Sequence, residues 1–213
     1  VIIIQKGLPA INWQFLSDIP RQGMRAGGIF PAIIGTVYLV TGAIIFALPI
    51  GLLAAIYLSE YSKDNLLTRF IKLAIVNLAG VPSVVYGLFG LALFVVFFKF
   101  GVSILSGSLT LGIMILPIII TTSREALESV PYSFREVSLS LGASKWQTIR
   151  HIVLPNAIPG ILTGTILGLG RAAGETAPIL FTVAAFYLPR LPNSIFDQAM
   201  ALPYHLYVIS TQV

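Results

Sequence analysis

The sequence predicts an all-α fold, a polytopic bundle of transmembrane helices, on three observations. Of its 213 residues, 56% are hydrophobic and only 10% charged, whereas soluble domains carry about 25% charged residues. The apolar residues fall in runs long enough to cross a hydrocarbon core, which takes about 20 residues. The charged residues collect in the connections between those runs. With a mean hydropathy of +0.92, a chain of this length has too small an interior to hide its apolar surface from water. The net charge of +5 would suggest nucleic acid in a soluble protein. Here its placement in loops assigns it to membrane orientation instead. Cysteine is absent, which excludes disulfides and thiolate metal sites.

The elements follow in order within a single domain, 1–213. Val1-Ile2-Ile3-Ile4 is too short to span and reads as the tail of a helix begun upstream. No basic leader or cleavage site makes it a signal peptide. Residues 27–59 carry no charge and form the first full span. Residues 73–98 form the second, and 101–123 the third, entered through a Gly/Ser-rich stretch. The fourth, 156–188, lies in the long run His151–Pro189, broken only by Arg171 and Glu175. Pro189, Pro192, Asn193 and Pro203 mark an irregular loop. Pro49, Pro82 and Pro117 lie inside spans and read as kinks, tolerated where neighbours satisfy the freed carbonyls. Trp13, Tyr187, Tyr204 and Tyr207 read as interfacial anchors. Lys63, Arg69, Lys72, Arg124, Arg135, Lys145 and Arg150 flank one side, which the positive-inside rule makes cytoplasmic. Lys6, Arg21, Arg25, Lys99 and Arg190 fall on the other.

The polar segment 124–155 is too polar to cross the membrane and too patterned for a plain loop. Ser133 and Glu136 have the S-x-x-E spacing of a capping box, which satisfies two free N–H groups at a helix start. Gly142 stops that helix, because glycine adopts the left-handed conformation without a Cβ penalty. Ser144 and Gln147 form a second box, opening a short helix from about Lys145 to Val153 that Pro155 ends. Two short helices joined at Gly142 could lie on lipid as an amphipathic hairpin. They could also serve as a docking knob for a soluble partner.

The last span carries two charges, each costing roughly 2.5–3.5 kcal/mol at the bilayer centre. Arg171 and Glu175 are four apart, which puts both on one helix face. Gly160, Gly164 and Gly168 form a small-xxx-small stripe that lets another helix approach. At about 100° per residue all five positions fall within roughly 80°, so the packing face continues into the charged one. Two readings stay open. Arg171 and Glu175 are a structural pair, or Arg171 presents a permanently charged fork to an oxyanion in a pore.

Three stretches resemble a known family. Glu136-Val137-Ser138, then Gly142, then Ile152-Val153-Leu154-Pro155 resembles the EAA loop of ABC importer permeases, with Val137 and Ser138 in place of its two alanines. Arg171-Ala172-Ala173-Gly174-Glu175-Thr176-Ala177-Pro178 and Gly80-Val81-Pro82-Ser83-Val84-Val85-Tyr86-Gly87-Leu88 resemble segments of phosphate importer permeases of the PstA type. Met200-Ala201-Leu202-Pro203-Tyr204 with Tyr207 resembles their last external loop. The resemblance implies a MetI-like bundle with a cytoplasmic helix-turn-helix coupling loop. It implies six spans, of which this sequence lacks most of the first and all of the last, so a fragment is expected. It implies that Glu136, Gly142, Ala143, Ser144, Ile152, Leu154 and Pro155 belong to the contact with an ATPase subunit; we add Trp146 as an aromatic anchor there. Arg171, Glu175, Thr176, Ser83 and Tyr86 are expected along the substrate pathway, although buried hydroxyls such as those of Ser83 and Tyr86 more commonly bond a local carbonyl.

The implied function is a permease subunit of an ATP-driven phosphate importer in a bacterial or archaeal plasma membrane. Sulfate, molybdate or phosphonate would suit Arg171 equally. The implied partners are a second, PstC-like permease, a PstB-like ATPase dimer, an external PstS-like binding protein and the bilayer, with no nucleic acid. No cofactor is expected in this chain. ATP and Mg belong to the ATPase, and no G-x-x-x-x-G-K-[ST] loop occurs here. An intramembrane enzyme would need paired catalytic side chains at membrane depth, which the sequence does not offer. His151 and His205 stand apart without carboxylate partners, so no metal site is expected. A passive scaffold would use the docking knob but leave Arg171 and Glu175 unexplained.

Overall fold

The computed structural model describes residues 5, 7–24, 26–188 and 190–212. The expected helix tail at Val1–Ile4 lies outside the described residues, as do Lys6, Arg25 and Pro189. Ten α-helices are described: α1 (Trp13–Ser17), α2 (Phe30–Ile56), α3 (Leu66–Ala79), α4 (Ser83–Gly90), α5 (Ile104–Glu128), α6 (Tyr132–Ser140), α7 (Lys145–Thr148), α8 (Leu154–Gly174), α9 (Ala177–Thr182) and α10 (Leu202–Gln212). Strands β1 (Pro20–Arg21) and β2 (Ala26–Gly27) pair antiparallel ahead of α2. Wider π-helical turns extend α2 over Tyr57–Tyr61 and α4 over Leu91–Phe97. A third, Ile149–Val153, joins α7 to α8.

Among the described residues, three continuous helices are long and apolar enough to cross a membrane: Phe30–Tyr61, Ile104–Glu128 and Lys145–Gly174. The middle one is the most enclosed, 67% buried over its apolar window against 39% and 33%. It is therefore an inner helix, while the other two keep broad apolar faces for lipid.

The second expected span, 73–98, is not one helix. α3 closes on Asn77 and Leu78, whose carbonyls accept from the Gly80 and Val81 N–H groups at 3.1 Å. Pro82 has no N–H and disfavours a helical residue before it, so a new helix starts at Ser83. The pair counts as a fourth span only if both halves are taken together. The fourth expected span, 156–188, is also shorter: α8 stops at Gly174, and α9 restarts at Ala177 with Pro178 in its first turn. The kinks expected at Pro49 and Pro117 sit inside unbroken helices.

The described residues pack as two compact units. The first draws on Val1–Ala43, Ser83–Leu111 and Ala173–Val213. Here the loop after α9 is irregular in backbone and also tied down. Ala184 and Ala199 bridge in parallel. The first N–H groups of α5, which have no partner within their own helix, are taken by this loop: Ile104 donates to the Asp197 carbonyl and Leu105 to that of Ile195, both at 2.9 Å. Tyr187, expected as an interfacial anchor, donates its hydroxyl to the Pro20 carbonyl at 3.1 Å.

The second unit is Ile44–Pro82 with Gly112–Ala172. Its core joins Ala55 and Ile56 of α2, Ala126 and Leu127 of α5, and Ile149, Val153, Ala157 and Ile161 of the last long helix. The glycine stripe of α8 packs on α5, as the sequence led us to expect of some helix. A Cβ at Gly160 would meet the Ala126 Cβ at 2.6 Å, and one at Gly164 would overlap the Thr122 side chain. Gly168 has more room, its nearest neighbour being Ile119 at 3.6 Å.

Candidate functional site: the helical hairpin and the charged helix end

The segment between α5 and α8 folds as a hairpin, and its turn is built by local chemistry. Gly142 takes φ +84°. The Ala143 N–H then reaches the Ser138 carbonyl at 3.2 Å, and the Gly142 N–H reaches that of Leu139 at 3.0 Å. These two bonds form a Schellman motif, which satisfies the last carbonyls of α6. Ser144 opens α7 with a complete capping box: its Oγ accepts from the Gln147 N–H at 3.3 Å, and Gln147 Oε1 accepts from the Ser144 N–H at 2.8 Å.

Two sequence expectations fail here. The Ser133–Glu136 box does not form, because Pro131 occupies the cap position and α6 starts at Tyr132. Proline fixes φ near the helical value, which moves the helix start ahead of Ser133. Pro155 does not end the second helix. The π turn at Ile149–Val153 lets the Leu154 N–H bond back to the Ile149 carbonyl, and the helix passes through Pro155 into α8. A π turn absorbs the local mismatch that a missing donor creates.

Ser138, one of the two departures from the family pattern, has a partner. Its Oγ lies 2.9 Å from Thr148 Oγ1, and both side chains are buried. Thr148 Oγ1 also lies 3.1 Å from the Ser144 carbonyl, which accepts from it. The bond clasps α6 to α7 across the turn.

Large apolar side chains stand exposed on the hairpin among polar ones. Tyr132, Val137, Leu139, Leu141 and Trp146 are exposed, Leu141 at 83% and Trp146 at 49%. Glu136, Gly142, Ser144 and Pro155 are exposed too, while Ala143, Ile152 and Leu154 are half-buried. Exposed apolar side chains on a segment that also exposes Glu136, Lys145 and Arg150 mark a surface that meets a partner or lipid.

The residue that sequence reasoning missed is Glu60, together with the role of Arg135. Arg135 counted only as a loop charge. In the structure its Nη2 donates to Glu60 Oε1 at 2.7 Å and its Nε to the same oxygen at 3.2 Å. The remaining donors reach the Leu127 carbonyl at 2.9 Å and the Val130 carbonyl at 2.7 Å. The side chains are only 11% and 9% exposed. A cavity of about 530 Å³ opens beside the pair, with Glu128, Tyr132, Lys145 and Thr148 among its walls. A sequence signal existed: Glu60 is the first charge after the uncharged stretch that begins at Gly27. A few residues on, the Arg69 guanidinium bonds the Asp64 carboxylate through Nε at 3.2 Å and Nη2 at 3.1 Å. That bond and the charge behind it hold the Asp64 carboxyl below the usual range.

Arg171 lies half-buried in the last turn of α8, where its charge complements the helix carboxyl end. Glu175 does not continue that helix face. α8 ends at Gly174, and Glu175 and Thr176 are half-buried in the two-residue link to α9. The structure does join two of the stretches singled out in the sequence. α4 packs on α9 within the first unit, and a Cβ at Gly87 would stand 3.0 Å from the Pro178 Cα and 3.1 Å from the Ala177 carbonyl. Ser83 and Tyr86 therefore share a unit with Glu175 and Thr176. Tyr86 is buried and Ser83 half-buried.

Fold and site together define a multi-pass membrane protein with a helical hairpin between α5 and α8. Residues 47–211 match the family described as binding-protein-dependent transport system inner membrane component. The probable ABC transporter permease protein YqgI of Bacillus subtilis is 34% identical over 99% of this chain and 75% of its own length. The phosphate transport system permease protein PstA of Xylella fastidiosa is 36% identical over 94% of this chain and 69% of its own. Phosphate transport system permease protein PstA 1 of Mycobacterium tuberculosis is 38% identical over 85% of this chain and 59% of its own. The chain belongs to the family of inner membrane components of binding-protein-dependent transport systems. It is a non-catalytic, multi-pass permease component of an ABC importer.

Proposed function

We propose that this chain is the permease subunit of an ATP-driven phosphate importer and forms half of its translocation pathway. The relatives named as phosphate permeases support the substrate. The hairpin supports the coupling: a rigid helical knob with exposed Leu141 and Trp146 suits the groove of a soluble ATPase subunit. Glu136, Gly142, Ala143, Ser144 and Trp146 form that contact, and Ile152, Leu154 and Pro155 carry it into α8. A second, PstC-like permease completes the pathway, a PstB-like dimer binds ATP and Mg, and a PstS-like protein delivers the anion from outside.

The observation that carries the reading is Arg171. It is the only charge in the sequence of α8, and a guanidinium offers a planar, permanently charged fork to phosphate oxygens. Half-burial strengthens that attraction without closing the side chain off. Glu175, Thr176, Ser83 and Tyr86 supply further polar groups from the segments around α4 and α9. In the complete complex, Arg171→Ala is expected to abolish phosphate uptake while the subunits still assemble. Unchanged uptake removes Arg171 from the pathway. Excess sulfate or phosphonate in the same assay fixes the anion: failure to compete supports phosphate, and strong competition shifts the assignment to another oxyanion.

A further inference from the structure

The hairpin grips the end of α2 at two consecutive residues. Arg135, on its first arm, bonds Glu60. Lys145, on its second arm, places Nζ 4.9 Å from the centre of the Tyr61 ring. Glu60 and Tyr61 sit in the π turn Tyr57–Tyr61, a widened form that often marks functional positions. α5 needs no such grip, because the chain runs from it directly into the hairpin through residues 129–131. α2 is different: the chain leaves it for α3 and α4 and returns only by way of α5. Among the described residues, side chains tie α2 to the hairpin: these two contacts and the core that Ala55 and Ile56 share with Ile149. A buried ion pair adds little net stability over a well-packed apolar pair, so what this pair supplies is position.

We propose that Glu60 and Arg135 are a positioning pair through which the hairpin moves the end of α2 as one body with α5. The hairpin is stiff enough to act so: the Schellman turn, the capping box and the Ser138–Thr148 bond hold its two arms together. Arg135 completes the link, because the guanidinium that holds Glu60 also bonds the carbonyls of Leu127, in the last turn of α5, and of Val130 just beyond it. Displacement at Trp146 or Leu141 thus reaches α5 and α8 through the chain and α2 through this pair.

The inference rests on the importer reading above, and the test separates the two. These 213 residues hold no cysteine, so Glu60→Cys with Arg135→Cys places two thiols where this sequence has none. In proteoliposomes holding the complete complex, phosphate uptake per ATP hydrolysed is measured before and after bridging with a short bismaleimide. The free-thiol form is expected to hydrolyse ATP but lose about tenfold in uptake per ATP, within the usual range of coupling between sites; bridging is expected to restore it. Wild-type coupling in the free-thiol form overturns the proposal, and so does a bridged form that no longer turns over. Glu60→Gln, nearly isosteric, gives the same readout if the double variant does not assemble. If the wild-type complex takes up no phosphate, the substrate reading fails by itself. Amide exchange at Tyr57–Tyr61 then decides the inference: ATP changes it in the wild type and not in Glu60→Gln, and an equal response in both overturns the link.

Discussion

Single side chains decide how closely α8 and α5 approach, and the glycine stripe allows a contrast within one helix. Replacing glycine by alanine inside a helix gains up to about 1 kcal/mol from propensity. At Gly168 that gain meets no steric cost, since the nearest atom would be 3.6 Å away. At Gly164 the new methyl would overlap Thr122, whose own hydroxyl is held by the Ile118 carbonyl at 2.8 Å. Overpacking costs about 1–3 kcal/mol. Gly168→Ala is therefore expected to leave or slightly raise the unfolding midpoint in detergent, and Gly164→Ala to lower it. Equal midpoints would mean that the stripe does not carry the contact. The Ser138–Thr148 bond is open to the same treatment: Ser138→Ala should cost about 1 kcal/mol, and a double-mutant cycle with Thr148→Val should show most of that as coupling. Of these features, the glycine spacing was readable in the chain. The partner surface was not, because periodicity tells which face packs and never against what.

At the level of elements, the hairpin was the most legible part. Gly142, Ser144 and Gln147 act on neighbours within four residues, and local hydrogen bonds of that reach leave a local pattern. A Cβ at Gly142 would meet nothing within 4 Å, yet φ is +84°. Any loss on substitution is then pure backbone strain, roughly 1–2 kcal/mol for an L residue held in this region. Gly142→Val is expected to uncouple ATPase activity from uptake, and Gly142→Asn to do so less, since asparagine tolerates the left-handed region. If valine is as active as glycine, the turn is not needed for coupling. The failed expectations share one physical cause. Pro82 and Pro155 were read by simple rules as a kink and a stop, and Pro131 was given no role. In the fold Pro82 sits at a break, Pro155 is carried through by a π turn, and Pro131 caps a helix. What a proline does depends on whether the freed carbonyl finds another donor, which neighbouring structure decides.

For the whole molecule, the solvent is the main determinant. Ile45, Leu53, Leu162 and Ile166 are exposed on helices long enough to span, an arrangement that water would oppose and lipid accepts. Ile166→Arg should disfavour insertion of the Lys145–Gly174 helix by about 2.5–3.5 kcal/mol at the bilayer centre, read as lost integration in a glycosylation-reporter assay. Ile166→Leu should leave integration unchanged. Full integration of the arginine variant would contradict a membrane-spanning position for this helix.

Composition and short-range pattern by themselves determined the membrane, the hairpin turn at Gly142 and the candidate charge at Arg171. Each depends on residues within a few positions of one another, or on averages over a run. Tertiary structure alone decided that Glu60 meets Arg135 across 75 residues of sequence, that Gly87 lies against Pro178, and that Glu175 leaves the helix holding Arg171. Such pairings depend on how separate helices dock, and docking follows from shape and buried polar satisfaction over the whole chain, which no local window contains.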